Sequence, residues 1–433
     1  MMKFTAAGDA IIQRRIQKDF PGFEELRPFI EKGDARFFNL ETTLNYEGDC
    51  YASQFSGGTY IRTVPECLDD LKGFGFNMTS FNNNHAMDFS YGGLLDTLKY
   101  VQASGMVHAG VGRNLDEAAA PRYLDTANGR VALISVCTTF DPSMMAGVQA
   151  RRIPGRPGIN GLRLNQTIRV SKEDLERVRK IAKNCGVNVS REIIRKEGYL
   201  PPLADDVAEF GKLLFAAGDK PGLEYTVQKA DMERVKKAIY EAQLQADYIV
   251  ISIHSHEIDG AKKEDVPNFL RNFCRACIDA GANAVIGHGP HLLRPVEVYR
   301  DSPIFYSLGD FILQLYNIAV APEDFYAKQG LNSDATVHEL LKTRSNNFRR
   351  GLMEERRMMI SVIPYWEADE KGKLTKKQLM PIESPARGHA HNSEIGLPRP
   401  SENLDWFDDF AAICKPCGVT LTLGKKGLID CKW

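Results

Sequence analysis

The stretch DYIVISIHSHE, residues 247–257, determines how this chain is interpreted. It is an almost continuous apolar run that ends in two histidines and a glutamate. A strand in which apolar and polar residues do not alternate has both of its faces covered, as in the sheets of α/β proteins. The stretch therefore predicts a buried strand that carries His254, His256 and Glu257 at its carboxyl end.

The same design recurs along the chain, and helical patterns at 65–73, 92–104, 231–246 and 267–280 separate several of the predicted strands. Strands that alternate with helices are the signature of an α/β fold. The other predicted strands are FTAAGD (4–9), ARFFNLE (35–41), NMTSFNNNH (77–85), RVALISVCTTF (130–140), NAVIGHGPH (283–291) and SPIFYSLGDF (302–311).

Side chains that bind metals stand at the carboxyl ends of six of these segments. In open α/β sheets the functional site forms beyond this edge, so we expect the six segments to contribute to one site. Carboxylate, amide and imidazole together suit divalent transition metals, and two metals about 3.5–4 Å apart can support hydrolysis of phosphoester or amide bonds. The residues are Asp9, Glu41, Asn84, His85, His254, His256, Glu257, His288, His291 and Asp310.

The asparagine run at 82–84 has two readings. Asparagine amides compete with backbone hydrogen bonds, so a turn that caps the next helix explains the run without any function. Alternatively, Asn84 and His85 are held out together to bind a ligand. The other five segments favour the second reading for Asn84 and His85, and turn capping for Asn82 and Asn83.

The overall composition excludes several classes of protein. The chain of 433 residues has 55 basic and 56 acidic residues, which argues against nucleic-acid binding. Its beginning does not read as a secretory signal, and no uncharged apolar run reaches about 18 residues, so we expect a cytoplasmic protein without a transmembrane anchor. No GxSxG elbow or P-loop occurs.

Nine cysteines, an odd number in a long chain, do not suggest a disulfide framework. The pair Cys274 and Cys277 falls in a helical pattern and is expected in the core. The pair Cys414 and Cys417 could be redox-active or half of a zinc site, although no partner pair stands at zinc-finger spacing.

Two segments interrupt or extend the α/β pattern. We interpret 141–230 as an insertion, with helices near 171–184 and 204–217, that is either a lid or a passive decoration. Its arginines either pair with substrate carboxylates or form a solvated basic loop; they are Arg151, Arg152, Arg156 and Arg163. Residues 321–433 are expected to form a C-terminal extension packed on a core domain of residues 1–320, with a strand pair at 357–366 and 373–383. His389 and His391, in a loop of this extension, are weaker ligand candidates.

Several motifs together resemble the CapA family of poly-γ-glutamate capsule biosynthesis, which is similar in fold to calcineurin-like metallophosphatases. The resemblance covers roughly 3–140 and 245–315. It implies an α/β fold with a β-sandwich flanked by helices, in a metallophosphatase-like four-layer αββα arrangement, with a helical insertion and a C-terminal extension. The motifs are GD (8–9), FFNLETTL (37–44), NNNHAMDFSYGGLLDTL (82–98), GVGRNLDEA (110–118), GHGPHLLRPVEVY (287–299) and PIFYSLGDFIL (303–313).

The resemblance also implies roles for individual residues around two divalent metal ions, of which Mn, Zn or Fe are the candidates. Asp9 would bind the first metal, Glu41 would bridge the two, and Asn84 would bind the second metal. His85 would face the substrate as general acid or oxyanion stabiliser. The remaining ligands would be His254, His288 and His291, and the supporting or substrate-contacting residues would be Asn39, Asp88, Glu257, Arg294 and Asp310.

Two positions depart from the family pattern. The usual HWG-like segment is HSHE here, and Gly289 stands where a histidine usually precedes the Pro-His pair. Three explanations stay open: His256 supplies the missing ligand, only one metal binds tightly, or His256 is a strand residue packed in the core. Asp310 replaces a common asparagine and either orients a ligand histidine or caps a turn.

The sequence thus predicts a metal-dependent hydrolase that uses a metal-activated water. A γ-glutamyl or related amide is the expected substrate, either a small molecule or a peptide-like compound with carboxylates. A phosphoesterase with the same dinuclear site and a non-catalytic component of capsule biosynthesis are the alternatives.

Overall fold

A computed structural model describes residues 1–332, 334–385 and 394–433. His389 and His391 lie outside the described residues. Within them the chain has a mixed α/β fold, as the alternation of strands and helices predicts.

The strands are β1 (Met2–Ile11), β2 (Ala35–Leu40), β3 (Thr43–Leu44), β4 (Arg62–Thr63), β5 (Met78–Ser80), β6 (Val107–Ala109), β7 (Val111–Gly112), β8 (Arg122–Thr126), β9 (Gly129–Cys137), β10 (Gly158–Ile159), β11 (Leu164–Val170), β12 (Val207–Phe210), β13 (Leu213–Ala217), β14 (Gly222–Val227), β15 (Tyr248–His254), β16 (Ala284–His288), β17 (Leu293–Tyr299), β18 (Ser302–Leu308), β19 (Asp310–Leu313), β20 (Ile360–Ala368), β21 (Leu374–Glu383), β22 (Arg399–Pro400), β23 (Thr420–Leu423) and β24 (Ile429–Lys432).

The α-helices are α1 (Gly22–Ile30), α2 (Cys67–Gly73), α3 (Ser90–Ala103), α4 (Leu115–Ala119), α5 (Lys172–Cys185), α6 (Val189–Lys196), α7 (Lys229–Gln243), α8 (Asn268–Asp279), α9 (Glu323–Lys328), α10 (Val337–Arg344) and α11 (Phe407–Cys414). The four helices predicted between strands are confirmed as α2, α3, α7 and α8. Among the described helices, none combines the length and the apolar character needed to cross a bilayer.

The first compact unit, Met1–Gly161, Glu233–Glu257 and Cys274–Trp433, contains two large mixed sheets. The ten-stranded sheet has the order β23-β24-β21-β20-β1-β2-β5-β6, with β19 beside β1 and β22 beside β21. The six-stranded sheet has the order β17-β18-β16-β15-β9-β8. Strands β1, β2, β5 and β6 run parallel, and so do β9, β15, β16 and β18. The strands of the C-terminal extension join the large sheet because β20 pairs with β1.

Two hydrophobic clusters explain why the strands lack alternation. Phe4 of β1 and Phe37 of β2 share one cluster with Leu133, Val250 and Ile286 of the six-stranded sheet, so this cluster fills the space between the sheets. The opposite face of the large sheet packs on α1, α2 and α3 in a second cluster. Both faces of the central strands are therefore buried, as predicted from the continuous apolar runs. The four-layer metallophosphatase-like arrangement stays a prediction.

The second compact unit, Leu162–Met232 and Ile258–Phe273, holds a four-stranded sheet of order β12-β13-β11-β14 together with α5 and α6. The helix predicted near 171–184 is confirmed as α5. The helix predicted near 204–217 is wrong, and so is a purely helical insertion. Gly211, in the left-handed region at φ 62°, forms with Lys212 the two-residue turn of the β12–β13 hairpin and breaks the helical pattern there.

The four arginines of the insertion do not form one basic surface. Arg151 and Arg152 are exposed, whereas the Arg156 guanidinium donates to the Met145 carbonyl oxygen at 3.1 and 3.2 Å. Arg163 makes a two-bond ion pair with the fully buried carboxylate of Asp231. For Arg163 the prediction of substrate pairing is wrong, because its guanidinium already serves a structural carboxylate.

The close approach of β1 to the β18–β19 turn positions the first predicted metal ligand. A Cβ atom on Gly8 would overlap the carbonyl oxygen of Gly309, so only glycine allows the two backbones to meet. At the next residue, β1 shifts register and Asp9 pairs with Asp310 on one side and with Asn39 on the other.

We expect Gly8→Ala to destabilise the protein by about 3 kcal/mol or more, because the clash is with a backbone carbonyl and overpacking typically costs 1–3 kcal/mol. Urea unfolding would measure the loss. Gly218→Ala is the control, since its Cβ would meet only the flexible side chain of Arg169, at 3.1 Å. Equal midpoints for the two variants would contradict the prediction.

Candidate metal centre

The carboxyl ends of the parallel strands meet at one place in the first unit, where the predicted ligands lie together. Asp9 lies in β1, Glu41 directly follows β2, and His254 and His288 end β15 and β16. All four side chains are buried, with an exposed fraction of at most 1%. The expectation that several strand ends contribute to one site agrees with this arrangement.

Three overlapping groups of side chains each present ligand atoms within 4.8 Å of one another. Asp9 and Glu41 each occur in two groups, and so does His254. The groups are Asp9, His254 and His288; Glu41, His254 and His256; and Asp9, Glu41 and His291.

The first group is centred on Asp9. Its Oδ1 atom lies 3.6 Å from His288 Nδ1 and 3.9 Å from His254 Nδ1, and these two nitrogens are 2.9 Å apart. Two imidazole lone pairs at this distance repel unless a proton or a cation lies between them. The three atoms thus converge as ligands of one ion would.

The second group surrounds the other nitrogen of His254. Its Nε2 atom lies 2.8 Å from Asn84 Oδ1, 2.9 Å from His256 Nε2 and 3.8 Å from Glu41 Oε1. Asn84 Nδ2 donates to the Gly57 carbonyl oxygen at 3.1 Å, which turns the amide oxygen toward the histidines. A neutral amide oxygen, two imidazoles and a carboxylate form a donor set suited to a divalent cation.

Glu41 gives the strongest indication that the residues fit a metal. Its side chain is fully buried, and neither carboxylate oxygen has a hydrogen-bond partner among the described residues. Its Oε1 atom lies 3.9 Å from both His85 Nε2 and His291 Nε2. An isolated buried carboxylate is strongly unfavourable, so Glu41 must either hold a proton or lie beside a cation, and the surrounding imidazoles make the site suitable for a cation.

Burial dominates the electrostatics of the site. It raises the pKa of Glu41 well above its usual value, and the neighbouring carboxylates of Asp9 and Asp310 raise it further. Burial and Asp310 raise the pKa of Asp9 to about 6. Burial lowers the pKa of His288 to about 3 and that of His254 well below its usual value, so both imidazoles stay neutral and able to bind a metal.

Surrounding polar groups orient these side chains. Asp9 accepts hydrogen bonds from Asn39 Nδ2 at 2.7 Å and from the Gly289 N–H at 2.8 Å. Asp310 Oδ1 lies 2.9 Å from His291 Nδ1, so Asp310 orients this histidine, one of the two roles considered for it. Such carboxylate–histidine contacts fix the tautomer and leave the other ring nitrogen for a metal.

Sequence reasoning missed Ser252, whose hydroxyl lies 2.7 Å from His288 Nε2 and leaves Nδ1 directed at Asp9. Ser252 and His254 are two residues apart in β15 and so share one face of the strand. A polar residue inside an otherwise apolar strand was the signal that could have identified it.

Gly289 lies against the His256 ring and leaves the space that this ring needs. A Cβ atom on Gly289 would lie 3.0 Å from the Ser255 backbone nitrogen and 3.2 Å from the His256 ring, so a larger residue would crowd His256. The possibility that His256 is a core strand residue is wrong, because β15 ends at His254 and His256 is only partly buried. The geometry favours His256 as the replacement ligand.

His85 is a member of none of these three groups. Its Nδ1 atom lies 2.7 Å from Asp88 Oδ2, and Asp88 also accepts the N–H groups of Gly57 and Ile61 at 3.1 and 2.9 Å. Asp88 is thus a partner of His85 and not a ligand. Asn83 Oδ1 accepts the His85 N–H at 3.1 Å, in agreement with its expected turn-capping role.

Glu257 and Arg294 support the loop after β15. The Glu257 carboxylate accepts hydrogen bonds from the hydroxyls of Thr138, Thr139 and Ser255 at 2.6–2.9 Å. The fully buried Arg294 donates to the Glu257 carbonyl oxygen at 2.9 Å. These contacts favour a supporting role for both residues over contact with a substrate.

No cysteine of the described residues belongs to these ligand groups. Within the described residues no disulfide joins any of the nine; Cys274 and Cys277 are buried as predicted, while Cys414 is buried and Cys417 is partly exposed. Zinc or redox chemistry at Cys414 and Cys417 stays a prediction.

Comparison with known proteins identifies the family. Residues 3–315 match the family described as bacterial capsule synthesis protein PGA_cap, so the chain belongs to this family. The uncharacterized protein y4sH of Sinorhizobium fredii is 32% identical over 98% of this chain and 92% of its own length. The PGA biosynthesis protein CapA of Bacillus subtilis is 25% identical, with 72% of this chain covering 63% of that protein. The capsule biosynthesis protein CapA of Bacillus anthracis is 20% identical, with 72% covering 59%.

We expect Glu41→Gln to weaken metal binding by more than about a hundredfold, since even outer partners of a metal ligand contribute 10–100-fold. Above the raised pKa of Glu41, the same change should stabilise the metal-free protein by about 1–3 kcal/mol, because it removes a buried negative charge. Metal titration and urea unfolding in chelator measure the two effects. Glu257→Gln is the control and should lower stability, because that carboxylate accepts three hydrogen bonds. A less stable metal-free Glu41→Gln protein would contradict the assignment.

Metal affinity should fall as the pH is lowered from 7 to 5. The pKa of Asp9 is raised to about 6, so below that pH a metal must displace a proton, and the affinity should drop about tenfold per pH unit. The stability of the metal-free protein should depend on pH in the opposite sense. Its free energy of unfolding should fall as the pH rises through 6, because Asp9 then ionises in its buried position. Calorimetric titrations at pH 5, 6, 7 and 8 test this, and a flat affinity from pH 5 to 7 would refute it.

Proposed function

We propose that this member of the bacterial capsule synthesis protein family is a metal-dependent hydrolase that acts on a γ-glutamyl or related amide. The observation that carries the proposal is the fully buried carboxylate of Glu41, which has no hydrogen-bond partner among the described residues and lies among histidine nitrogens. A protein that only needed a stable core would gain from replacing this carboxylate with an apolar side chain.

The proposed ligands form two shells that share Glu41. Asp9, Glu41, His288 and His291 would hold one divalent ion, and Glu41, Asn84 and His256 would hold a second; His254, whose neutral ring has a single lone pair, would bind one of the two. When bound, such ions supply an activated water and stabilise negative charge that develops on the substrate. The metallophosphatase-like layering of the two sheets belongs to the same proposal.

His85 is the proposed catalytic residue because of how it is held. Asp88 accepts from Nδ1–H, which leaves Nε2 directed at the Glu41 side of the site, 3.9 Å from Oε1. When both ring nitrogens are protonated, the Nε2–H group can give its proton to a leaving group or donate a hydrogen bond to a developing oxyanion. The fully buried Asp88 fixes the ring by accepting two backbone N–H groups as well.

The choice of an amide substrate rests on the relatives. Two of them are named PGA biosynthesis protein and capsule biosynthesis protein, and the links of poly-γ-glutamate are amides. The same donor set would serve phosphoester hydrolysis, and the relatives' names also fit a component without catalytic activity. One experiment separates these three possibilities.

We expect the protein, purified without chelator and supplied with Mn or Zn, to hydrolyse a γ-glutamyl anilide. His85→Ala should lower kcat by about 10²–10⁴-fold with metal content unchanged, because general acid catalysis contributes about that much. His338→Ala, which removes an exposed histidine of α10, is the control and should change neither.

Metal content by mass spectrometry and initial rates on the anilide and on an aryl phosphate are the measurements. Turnover of the phosphate alone would replace the amide proposal with a phosphoesterase. Metal binding without turnover of either compound would favour a non-catalytic component. A wild-type protein that binds neither metal would refute the hydrolase.

A further inference from the structure

A short loop lies directly against the proposed catalytic histidine. We name residues 53–60, SQFSGGTY, the glycine loop. A Cβ atom on Gly57 would lie 2.5 Å from His85 Nε2 and 2.6 Å from Asn84 Nδ2, so only a glycine backbone fits against these side chains. The His85 side chain is only 6% exposed. In this arrangement the loop occupies the space from which a substrate would approach Nε2.

The glycine loop is anchored from beneath by the residues that it covers. The Gly57 N–H donates to Asp88 Oδ1 at 3.1 Å, and the Gly57 carbonyl oxygen accepts from Asn84 Nδ2 at 3.1 Å. Asp88 also contacts His85, so the loop and the imidazole share one carboxylate. Gly58 follows at φ 140°, a conformation that side chains disfavour, which makes this residue a natural hinge.

A second anchor comes from the C-terminal extension. The Arg344 guanidinium donates to the Gly58 carbonyl oxygen at 3.1 Å and to the Thr59 hydroxyl, and it lies over the Phe325 ring at 5.2 Å from the centroid. Arg344 is the last residue of α10, a helix that begins with a capping box between Thr336 and Glu339. The guanidinium is therefore presented by a well-defined helix end.

We propose that the glycine loop is a lid over His85 and that Arg344 is the positioning residue that holds it closed. The inference rests on the proposed function, in which His85 is catalytic. A substrate reaches His85 Nε2 only when the Arg344 contacts to Gly58 and Thr59 break and the loop turns at the glycines. Arginine suits this role because its planar guanidinium donates to two neighbouring groups at once, which a lysine ammonium matches poorly. Arg344 lies beyond residues 3–315, the part that matches the family.

The rate at which diethyl pyrocarbonate modifies His85 measures the lid without depending on catalysis. Peptide mass spectrometry separates His85 from the other histidines. We expect Arg344→Ala to raise the His85 rate about tenfold, since two hydrogen bonds to a charged group are lost. The rate of His85 modification in Arg344→Lys should lie between the rates of the wild type and of Arg344→Ala. Thr59→Val, which removes one of the two contacts and keeps the shape, should also be intermediate and covers the case of an unstable Arg344→Ala protein.

Lys342→Ala is the matched control, because it removes an exposed positive charge from the same helix and should leave the His85 rate unchanged. With the γ-glutamyl anilide, Arg344→Ala should raise kcat/KM about tenfold at unchanged metal content, because the open loop that admits substrate is more populated. A wild-type rate of His85 modification in both Arg344→Ala and Thr59→Val would overturn the lid. A faster His85 rate in a protein that hydrolyses nothing would instead retain the lid and reject the hydrolase.

Discussion

Three carboxylates, those of Asp9, Glu41 and Asp310, are buried close together at the carboxyl edge of the large sheet. Each raises the free energy of ionising a neighbour, and burial adds to that penalty, so no stable core would collect them without compensation. The surrounding structure supplies it in part: Asn39 and the Gly289 N–H bind Asp9, and the Asp310 carboxylate contacts His291. The oxygens of Glu41 have no hydrogen-bond partner among the described residues, and the nearest histidine nitrogens lie 3.8–3.9 Å away; this imbalance is the physical reason for proposing a cation at the site.

The contacts that collect these charges come from distant parts of the chain. Gly8 lets β1 approach the turn before β19, which brings Asp9 beside Asp310. The six-stranded sheet adds His254 and His288 through parallel pairing of β15 and β16, which aligns the two histidines. The C-terminal extension adds strands to the large sheet. Arg344 of this extension donates hydrogen bonds to Gly58 and Thr59 of the glycine loop. The positions of the site residues therefore depend on backbone contacts of the surrounding sheets as well as on side-chain contacts.

The strand ends were predictable because chemistry and position coincide there. Apolar runs that close on Asp9, Glu41, His254 and His288 indicate both a buried strand and where its polar end must lie, since the carboxyl ends of parallel strands share an edge. The strands at 204–217 were not predictable as such, because a local pattern of apolar residues fits a helix until the turn at Gly211 is known. The hydrogen-bond partners of Ser252 and Arg344 could not be predicted from the sequence, since they lie 36 and 286 residues away in the chain; only the polar character of Ser252 within an apolar strand was visible.

The sequence by itself determined the α/β class, the edge at which the candidate metal-binding side chains gather and the types of donor group that they present, because these follow from hydrophobic periodicity and residue chemistry along single segments. Tertiary structure alone decided which atoms face one another. It placed His256 beside His254, where Gly289 leaves room for the ring, and it placed Gly57 against His85. It also left the Glu41 carboxylate without a hydrogen-bond partner among the described residues. Such relations depend on the packing of segments far apart in the chain, and no local pattern of residues encodes a distance between them.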